Sequence, residues 1–357
     1  MPPTTQVELV AAGLVGGRTV RIVESGEVEC ALLPVADLAA GHVRIRSVRS
    51  AVSPGTEMTF LGRDATNVYL HRRWDPKLRL FLEGPPSVAY PVTFGYRAAG
   101  EVVESRDPEV PVGLRVFGSW RHTEYVAMPG AQARRQALPQ ELTWDDGLDI
   151  AQMGPICLNA AAFGDGRQVG RPAVVIGSGP VGLITAQMVR TAGAARVYVV
   201  DRVPYRLAIA SSLGFQPLDT SAGDVAVLLK RRHGPSGIPV AWECSGSSGG
   251  LQEAIRIVAR QGTVVAVGFY QAGSRDLRLD EEFHHNGVRL VCGQIGNVHR
   301  SMRRRGLPAR VLALARSGRV MLGGMPRTLF PVERVADAFA ALRRPDEVLQ
   351  AVLTYDR

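Results

Sequence analysis

The sequence predicts an α/β protein, a doubly wound parallel sheet preceded by a β-rich domain. Three observations carry that prediction. Between 172 and 292 short apolar runs alternate with helical patterns, the mark of a parallel sheet with right-handed crossovers. One apolar run ends in Gly177-x-Gly179-x-x-Gly182 and the next in Asp201. Residues 6–130 instead show short alternating runs separated by Gly and Pro, with no helical period of good length.

Taken in order, front strands are expected around Val43–Ile45, Gly100–Val103, Leu114–Phe117 and Glu124–Ala127. Thr143, followed by Asp145 and Asp146, marks a helix start, and apolar residues at helical spacing continue through 147–163. Strands follow at 173–177, 196–200, 239–243, 263–267 and 288–292. Helices are expected near 180–192, 204–213, 222–232 and 249–260. Two more helical stretches lie near 307–317 and 332–343, with Pro331 read as a first-turn proline, and the chain closes on a strand-like 348–354.

The glycines carry chemistry. Gly177 permits a tight turn, Gly179 lets backbone amides approach a pyrophosphate, and Gly182 lets the helix sit close to the strand. The turn Gly177, Ser178, Gly179, Pro180, Val181 and Gly182 thus aims a helix N-terminus at two phosphates. Asp201 is placed to accept ribose hydroxyls and repel a 2′-phosphate, which favours NAD over NADP. Arg202 and Arg206 keep NADP open.

The composition excludes several classes. A hydrophobic fraction of 46% with 21% charged residues describes a globular protein with room for two cores in 357 residues. The start Met1–Glu8 lacks the basic and apolar regions of a signal peptide, and no segment approaches a membrane span, so a cytoplasmic location is expected. The net charge of +9 does not imply nucleic acid: only Lys77 and Lys230 of 42 basic residues are lysine. The arginines are scattered, apart from Arg72-Arg73 and Arg303–Arg305. Cys30, Cys157, Cys244 and Cys292 are too far apart for a disulfide framework or a zinc knuckle.

With Ala241–Gly246, Gln261–Gly268, and Pro91, Gly95 and Gly100–Val103 in front, the chain resembles the medium-chain dehydrogenase/reductase superfamily, alcohol-dehydrogenase-like, over nearly its whole length. The resemblance implies a GroES-like catalytic domain (1–153, with a return over 296–357) and a Rossmann NAD-binding domain (154–295), the active site lying in the cleft between them. It also implies that Cys244, Ser245, Val267, Gly268, Phe269 and Gln294 line the adenosine and nicotinamide pockets.

The chain departs from the family at the metal. Where zinc-dependent members have Cys-Gly-Thr-Asp it has Pro54-Gly55-Thr56-Glu57. Gly-His-Glu is Gly95-Tyr96-Arg97, and the third ligand position falls at Gln152, with Cys157 a small core residue. A catalytic zinc needs three protein ligands, so no metal is expected. The turn Ser53–Glu57 resembles a zinc-free branch that includes bacteriochlorophyllide dehydrogenases. Four residues are then candidates for proton chemistry. Thr56 matches the hydroxyl that bonds the substrate alcohol. Tyr96 can act as acid or oxyanion donor. Arg97 is placed to lower that phenol's pKa, and Glu57 to orient Thr56 or to pair with Arg97. The long 54–96 stretch carries a basic, aromatic segment, read as a substrate-binding loop, a surface flap or a dimer contact. His284-His285 reads as local polarity rather than a metal site. The expected function is NAD(H)-dependent interconversion of a secondary alcohol and a ketone by a homodimer acting on a small molecule. The alternatives are reduction of a conjugated C=C bond and a non-catalytic nucleotide-binding protein.

Overall fold

The computed structural model describes residues 16–62, 64–271, 277–303 and 306–356. The start Met1–Glu8 and Arg304-Arg305 of the basic triplet lie outside the described residues. The chain forms two compact units. One comprises everything up to Gln152, Arg327–Arg344 and the end from Gln350. The other comprises Met153–Pro326 and Pro345–Leu349.

In the first unit, β1 (Gly16–Ile22) pairs antiparallel with β2 (Val28–Pro34), and on its other edge lies a short strand at Val92–Thr93. The spine of the larger sheet is β3 (His42–Ala51). Its alternating burial puts Val43 and Ile45 into a core with Val102, Val116 and Trp120. Between β3 and Tyr96, β4 (Arg73–Asp75) and β5 (Leu80–Leu82) form a hairpin from the basic, aromatic segment. Its Trp74 and Phe81 rings lie 4.9 Å apart, and Leu78 and Leu80 are exposed. The Val92–Thr93 strand is β6; then come β7 (Ala98–Ser105), β8 (Arg115–Gly118) and β9 (Tyr125–Pro129). Strand β7 pairs with β3 and β8, while β9 takes the other edge of β3. Thr143 caps the helix Trp144–Leu148 in a full capping box: its Oγ1 accepts from Asp146 N at 3.1 Å, and Asp146 Oδ2 accepts from Thr143 N at 2.9 Å.

The second unit holds β10 (Pro172–Ile176), β11 (Arg196–Asp201), β12 (Gln216–Asp219), β13 (Val240–Glu243), β14 (Thr263–Ala266) and β15 (Arg289–Cys292). All pair in parallel in the order β12-β11-β10-β13-β14-β15, the doubly wound Rossmann order. The central strands are almost wholly buried, because helices cover both faces. Strand β12 was not expected: Gln-Pro-Leu-Asp carries no apolar run, and as an edge strand it needs none.

Two further differences concern the C-terminal third. Residues 296–326 stay with the Rossmann unit, where the helix Leu307–Arg316 packs on the helix Gly154–Ala162, so the return to the first unit comes at Arg327 rather than 296. There β16 (Thr328–Pro331) and β17 (Ala351–Thr354) extend the large sheet along β3. Pro331 therefore ends a strand and caps the short 3-10 turn Val332–Arg334, ahead of the helix Val335–Ala341.

Candidate active site

The cofactor cradle belongs to the Rossmann unit. Gly177 follows β10 with φ +91°, and a Cβ there would lie 2.8 Å from Ser245 N. A Cβ on Gly182 would lie 2.8 Å from the Gly177 carbonyl carbon and closer still to its oxygen. Only glycine lets strand and helix approach so closely. The helix Pro180–Thr191 starts with Gly179 as N-cap and Pro180 in its first turn, where a missing N–H costs nothing. The residues fit a dinucleotide: the space a side chain would fill at Gly179 is open except for Arg206 Nη1, 3.9 Å away.

Asp201 is more heavily engaged than the sequence suggested. Its Oδ2 accepts from Ser178 N (2.6 Å) and Ser178 Oγ (2.7 Å), and its Oδ1 from the amides of Arg202 (2.7 Å) and Val203 (3.0 Å). It therefore braces the glycine turn from the next strand. The Arg202 side chain is exposed. Arg206 is half-buried, and burial lowers its pKa against the opposing pull of Asp201; its Nε is buried without a partner.

Glu243, at the end of β13, was missed. Its buried carboxylate accepts from Ser245 N (2.7 Å), Gly246 N (3.1 Å) and Tyr270 Oη (2.5 Å), and from Ser245 Oγ. Burial pushes the carboxyl above its usual range, and burial together with Glu243 pushes the Tyr270 phenol up. Glu243 thereby ties the loop Cys244–Gly246 to the loop after β14, where Val267 is buried and Phe269 exposed. Gly268 approaches so near that a Cβ there would be 2.5 Å from Gly246 Cα. The Cys244 thiol is driven well up by burial, beside Cys157 and Thr185. Cys157 itself is buried on its helix, as a core residue should be. Gln294 is exposed and accepts from Gly296 N at 2.6 Å.

The candidate proton chemistry sits in the first unit. Ser53 caps the single helical turn Pro54–Glu57. The Tyr96 hydroxyl donates to Ser53 Oγ and also meets the Thr56 side chain. Burial, then the charge of Glu57, raise the Tyr96 phenol above its ordinary value. The hydrogen bonds to Ser53 and Thr56 oppose this, and Arg97 opposes it least. Arg97 does act to lower this phenol, as expected, but desolvation and Glu57 outweigh it.

Glu57 and Arg97 do not pair either. Glu57 Oε2 lies 3.1 Å from His122 Nε2, and both side chains are buried. Arg97, fully buried just before β7, donates to Asp149 Oδ1 and to Gln350 Oε1 (2.9 Å), while Arg327 Nη2 reaches Asp149 Oδ2 at 2.7 Å. Arg97 is thus a buried structural charge; the carboxylate it satisfies is Asp149. No local pattern marks His122 or Asp149, because their partners lie 65 and 52 positions away in sequence. His284 and His285 are exposed, and His285 Nδ1 meets the Glu281 carbonyl at 3.1 Å.

At the three positions where zinc-dependent relatives bind metal, Pro54 has no ligand atom, the Tyr96 hydroxyl is spent on Ser53, and Gln152 lies in the turn Asp149–Met153. Among the described residues no group of three or more His, Cys, Asp or Glu side chains is placed to hold a metal ion. The residues present do not fit a catalytic zinc.

Fold and glycine turn together are those of a Rossmann unit accompanied by a β-rich unit. The family model for zinc-binding dehydrogenase matches residues 180–304. A D-guloside 3-dehydrogenase of Shigella flexneri is 27% identical over 270 residues, covering 71% of this chain and 73% of that protein. The crystal structure of 2R,3R-butanediol dehydrogenase from Bacillus subtilis matches with a TM-score of 0.74 at 20% identity, over 95% of this chain and all of that one. A putative zinc-binding dehydrogenase from Sinorhizobium meliloti bound to NADP matches with a TM-score of 0.72 at 18% identity, over 96% and 100%. By these likenesses the chain is an oxidoreductase, similar to zinc-type alcohol dehydrogenases of the medium-chain dehydrogenase/reductase superfamily. No helix among the described residues is long and apolar enough to cross a membrane.

Proposed function

We propose that the protein is a zinc-independent, NAD(H)-dependent oxidoreductase that interconverts a secondary alcohol and a ketone. The observation that carries this is Tyr96: it replaces the metal-binding histidine, and its hydroxyl clusters with Ser53 and Thr56. The glycine turn Gly177–Gly182 would hold the pyrophosphate, and Asp201 and Arg206 flank the adenosine end. The nicotinamide, when bound, supplies or receives the hydride. In the ketone direction the Tyr96 hydroxyl would turn from Ser53 Oγ to the substrate oxygen and give it the proton. Its O–H bond breaks as the alcohol O–H forms, and Ser53 and Thr56 hold the phenolic oxygen in place. Relatives named for D-guloside and butanediol support a sugar or polyol substrate.

NADP is the second reading, favoured by the unpartnered Nε of Arg206 beside the turn, and reduction of a conjugated C=C bond would go with it. The first reading includes a cytoplasmic homodimer, whose size light scattering tests. The functional test is turnover of a panel of sugars, polyols and secondary alcohols with NAD, alongside elemental analysis. Activity that vanishes in Tyr96→Phe, in protein free of stoichiometric zinc, is the expected result. Stoichiometric zinc, or full activity in Tyr96→Phe, sinks the proposal, and turnover of enones alone with NADPH selects the second reading.

A further inference from the structure

The hairpin β4–β5 takes no part in the cradle or in the cluster around Tyr96, yet it is firmly built. At its base Arg72 Nη2 donates to Phe81 O at 3.1 Å, Trp74 N to Ser87 Oγ at 2.7 Å and Val88 N to Tyr69 O at 3.0 Å. The Phe81 ring meets Tyr69 at 5.5 Å and Trp74 at 4.9 Å. The turn at the tip is fixed as well. Asp75 Oδ1 accepts from the amides of Lys77 and Leu78, both at 2.9 Å, and Arg79 N donates to Asp75 O at 2.8 Å. Arg79 closes the turn in the left-handed region, with φ +56°.

This frame presents Pro76-Lys77-Leu78-Arg79-Leu80, five consecutive exposed residues in which cations and leucines alternate. Leu78 is 62% exposed and Leu80 54%. The two carboxylates of the hairpin are already engaged: Asp75 by the turn amides, and Glu83 by Arg72 Nη2 at 3.1 Å. Among the described residues no side-chain hydrogen bond or ion pair holds Lys77 or Arg79, and Arg73, close enough to influence Asp75, is a third exposed cation. The tip is therefore apolar and positive at once, on a segment too well braced to fold the leucines away.

A surface that takes such a tip must offer negative charge and apolar depth together. An anionic lipid bilayer does: its phosphates meet the cations, while the leucines and the aliphatic stems of Lys77 and Arg79 enter the acyl boundary. A second copy meeting this hairpin about a two-fold axis would set like charges against each other. A nucleic acid strand would need an open aromatic face to stack on, whereas Tyr69, Trp74 and Phe81 are half-buried and face one another. We propose that the β4–β5 tip is a peripheral membrane-docking element, which seats Leu78 and Leu80 in the interface of an anionic bilayer while Lys77 and Arg79 hold its phosphates.

The test is co-sedimentation of the full-length protein with two kinds of vesicle, pure phosphatidylcholine and an equal mixture of phosphatidylcholine and phosphatidylglycerol. Wild type should pellet with the mixed vesicles only, and added salt should release it. Lys77→Gln combined with Arg79→Gln should weaken that binding about thirtyfold, roughly a factor of five for each cation lost. Leu78→Ser combined with Leu80→Ser should weaken it about tenfold, because the leucines are only partly immersed. All four side chains are exposed, so both double variants should keep the circular dichroism and Tm of wild type. Absence of binding to the mixed vesicles, equal binding to both kinds, or binding that neither double variant weakens overturns the proposal. Two further results overturn it by naming another occupant. One is a leucine variant that turns a wild-type dimer into monomers, with no vesicle binding by either. The other is single-stranded RNA held through Lys77 and Arg79 where vesicles are not. None of these readouts involves turnover, so the dehydrogenase reading stands or falls separately.

Discussion

Asp149→Asn tests whether Arg97 is structural. Asp149 is fully buried and is shared by Arg97 and Arg327; Asp145 reaches Arg327 at 4.0 Å. The amide preserves shape but leaves two buried guanidinium groups facing a neutral side chain. Arg97 would keep Gln350 Oε1, while its Nε and Nη1 already lack partners. Removing one member of a buried ionic cluster costs about 3–5 kcal/mol, since the remaining charges stay desolvated. For a unit of this size that is a loss of roughly 10 °C in Tm. Trp74, Trp120 and Trp144 lie in the first unit, so thermal unfolding followed by tryptophan fluorescence reports mainly on it. Arg97→Met should cost less, because Asp149 keeps Arg327. Asp149→Asn within about 1 kcal/mol of wild type, or Arg97→Met the more damaging of the two, would refute the structural account of Arg97.

Other outcomes follow from the same geometry. Gly182→Ala forces a Cβ into the Gly177 carbonyl and should weaken NADH binding by about a hundredfold or more, roughly 3 kcal/mol, in a fluorescence titration. Gly249→Ala, with nothing within 4 Å of its Cβ, should bind as wild type. Thr143→Ala removes the side-chain half of the capping box, leaving the residue-143 amide on Asp146, and should cost about 1 kcal/mol in urea unfolding. Asp201→Asn should narrow any preference for NADH over NADPH by about tenfold, measured as a ratio of Kd values; an unchanged ratio removes Asp201 from cofactor selection. Tyr96, Tyr270 and Tyr355 all have phenols raised chiefly by desolvation. Above the ordinary phenol value of about 10, the folded state therefore binds protons more tightly than the unfolded one, and stability falls as pH rises. Tyr270→Phe should flatten that fall in a series of Tm values between about pH 9 and 11.

What could be read from the sequence was what local sterics or periodicity decide. The glycine turn needs small residues at fixed spacing, and the buried strands β10, β11, β13 and β14 need apolar runs; both leave marks within a few residues. The Thr143 cap is legible for the same reason. The edge strand β12 is short and polar, so nothing announces it. The charges were harder. Residue types at positions 57 and 97 invited a mutual ion pair, but neighbours on opposite elements decide such pairings, and the sequence does not order those neighbours in space. The fold sends Arg97 to Asp149 and Arg327, and Glu57 to His122.

Asp201 shows how that limit bears on function. A carboxylate offers about four acceptor positions. In this protein Ser178 N, Ser178 Oγ, Arg202 N and Val203 N take four. A ribose hydroxyl must therefore displace one of them, and Ser178 Oγ is the one that can turn away, since a hydroxyl rotates and a backbone amide does not. The charge of Asp201 needs no free acceptor to repel a 2′-phosphate, whereas its hydrogen bonding to a ribose does. In the proposed NAD-dependent reading, selection against NADP and affinity for NAD would thus rest on different properties of one side chain. Ser178, a residue outside the glycine pattern itself, stands between them.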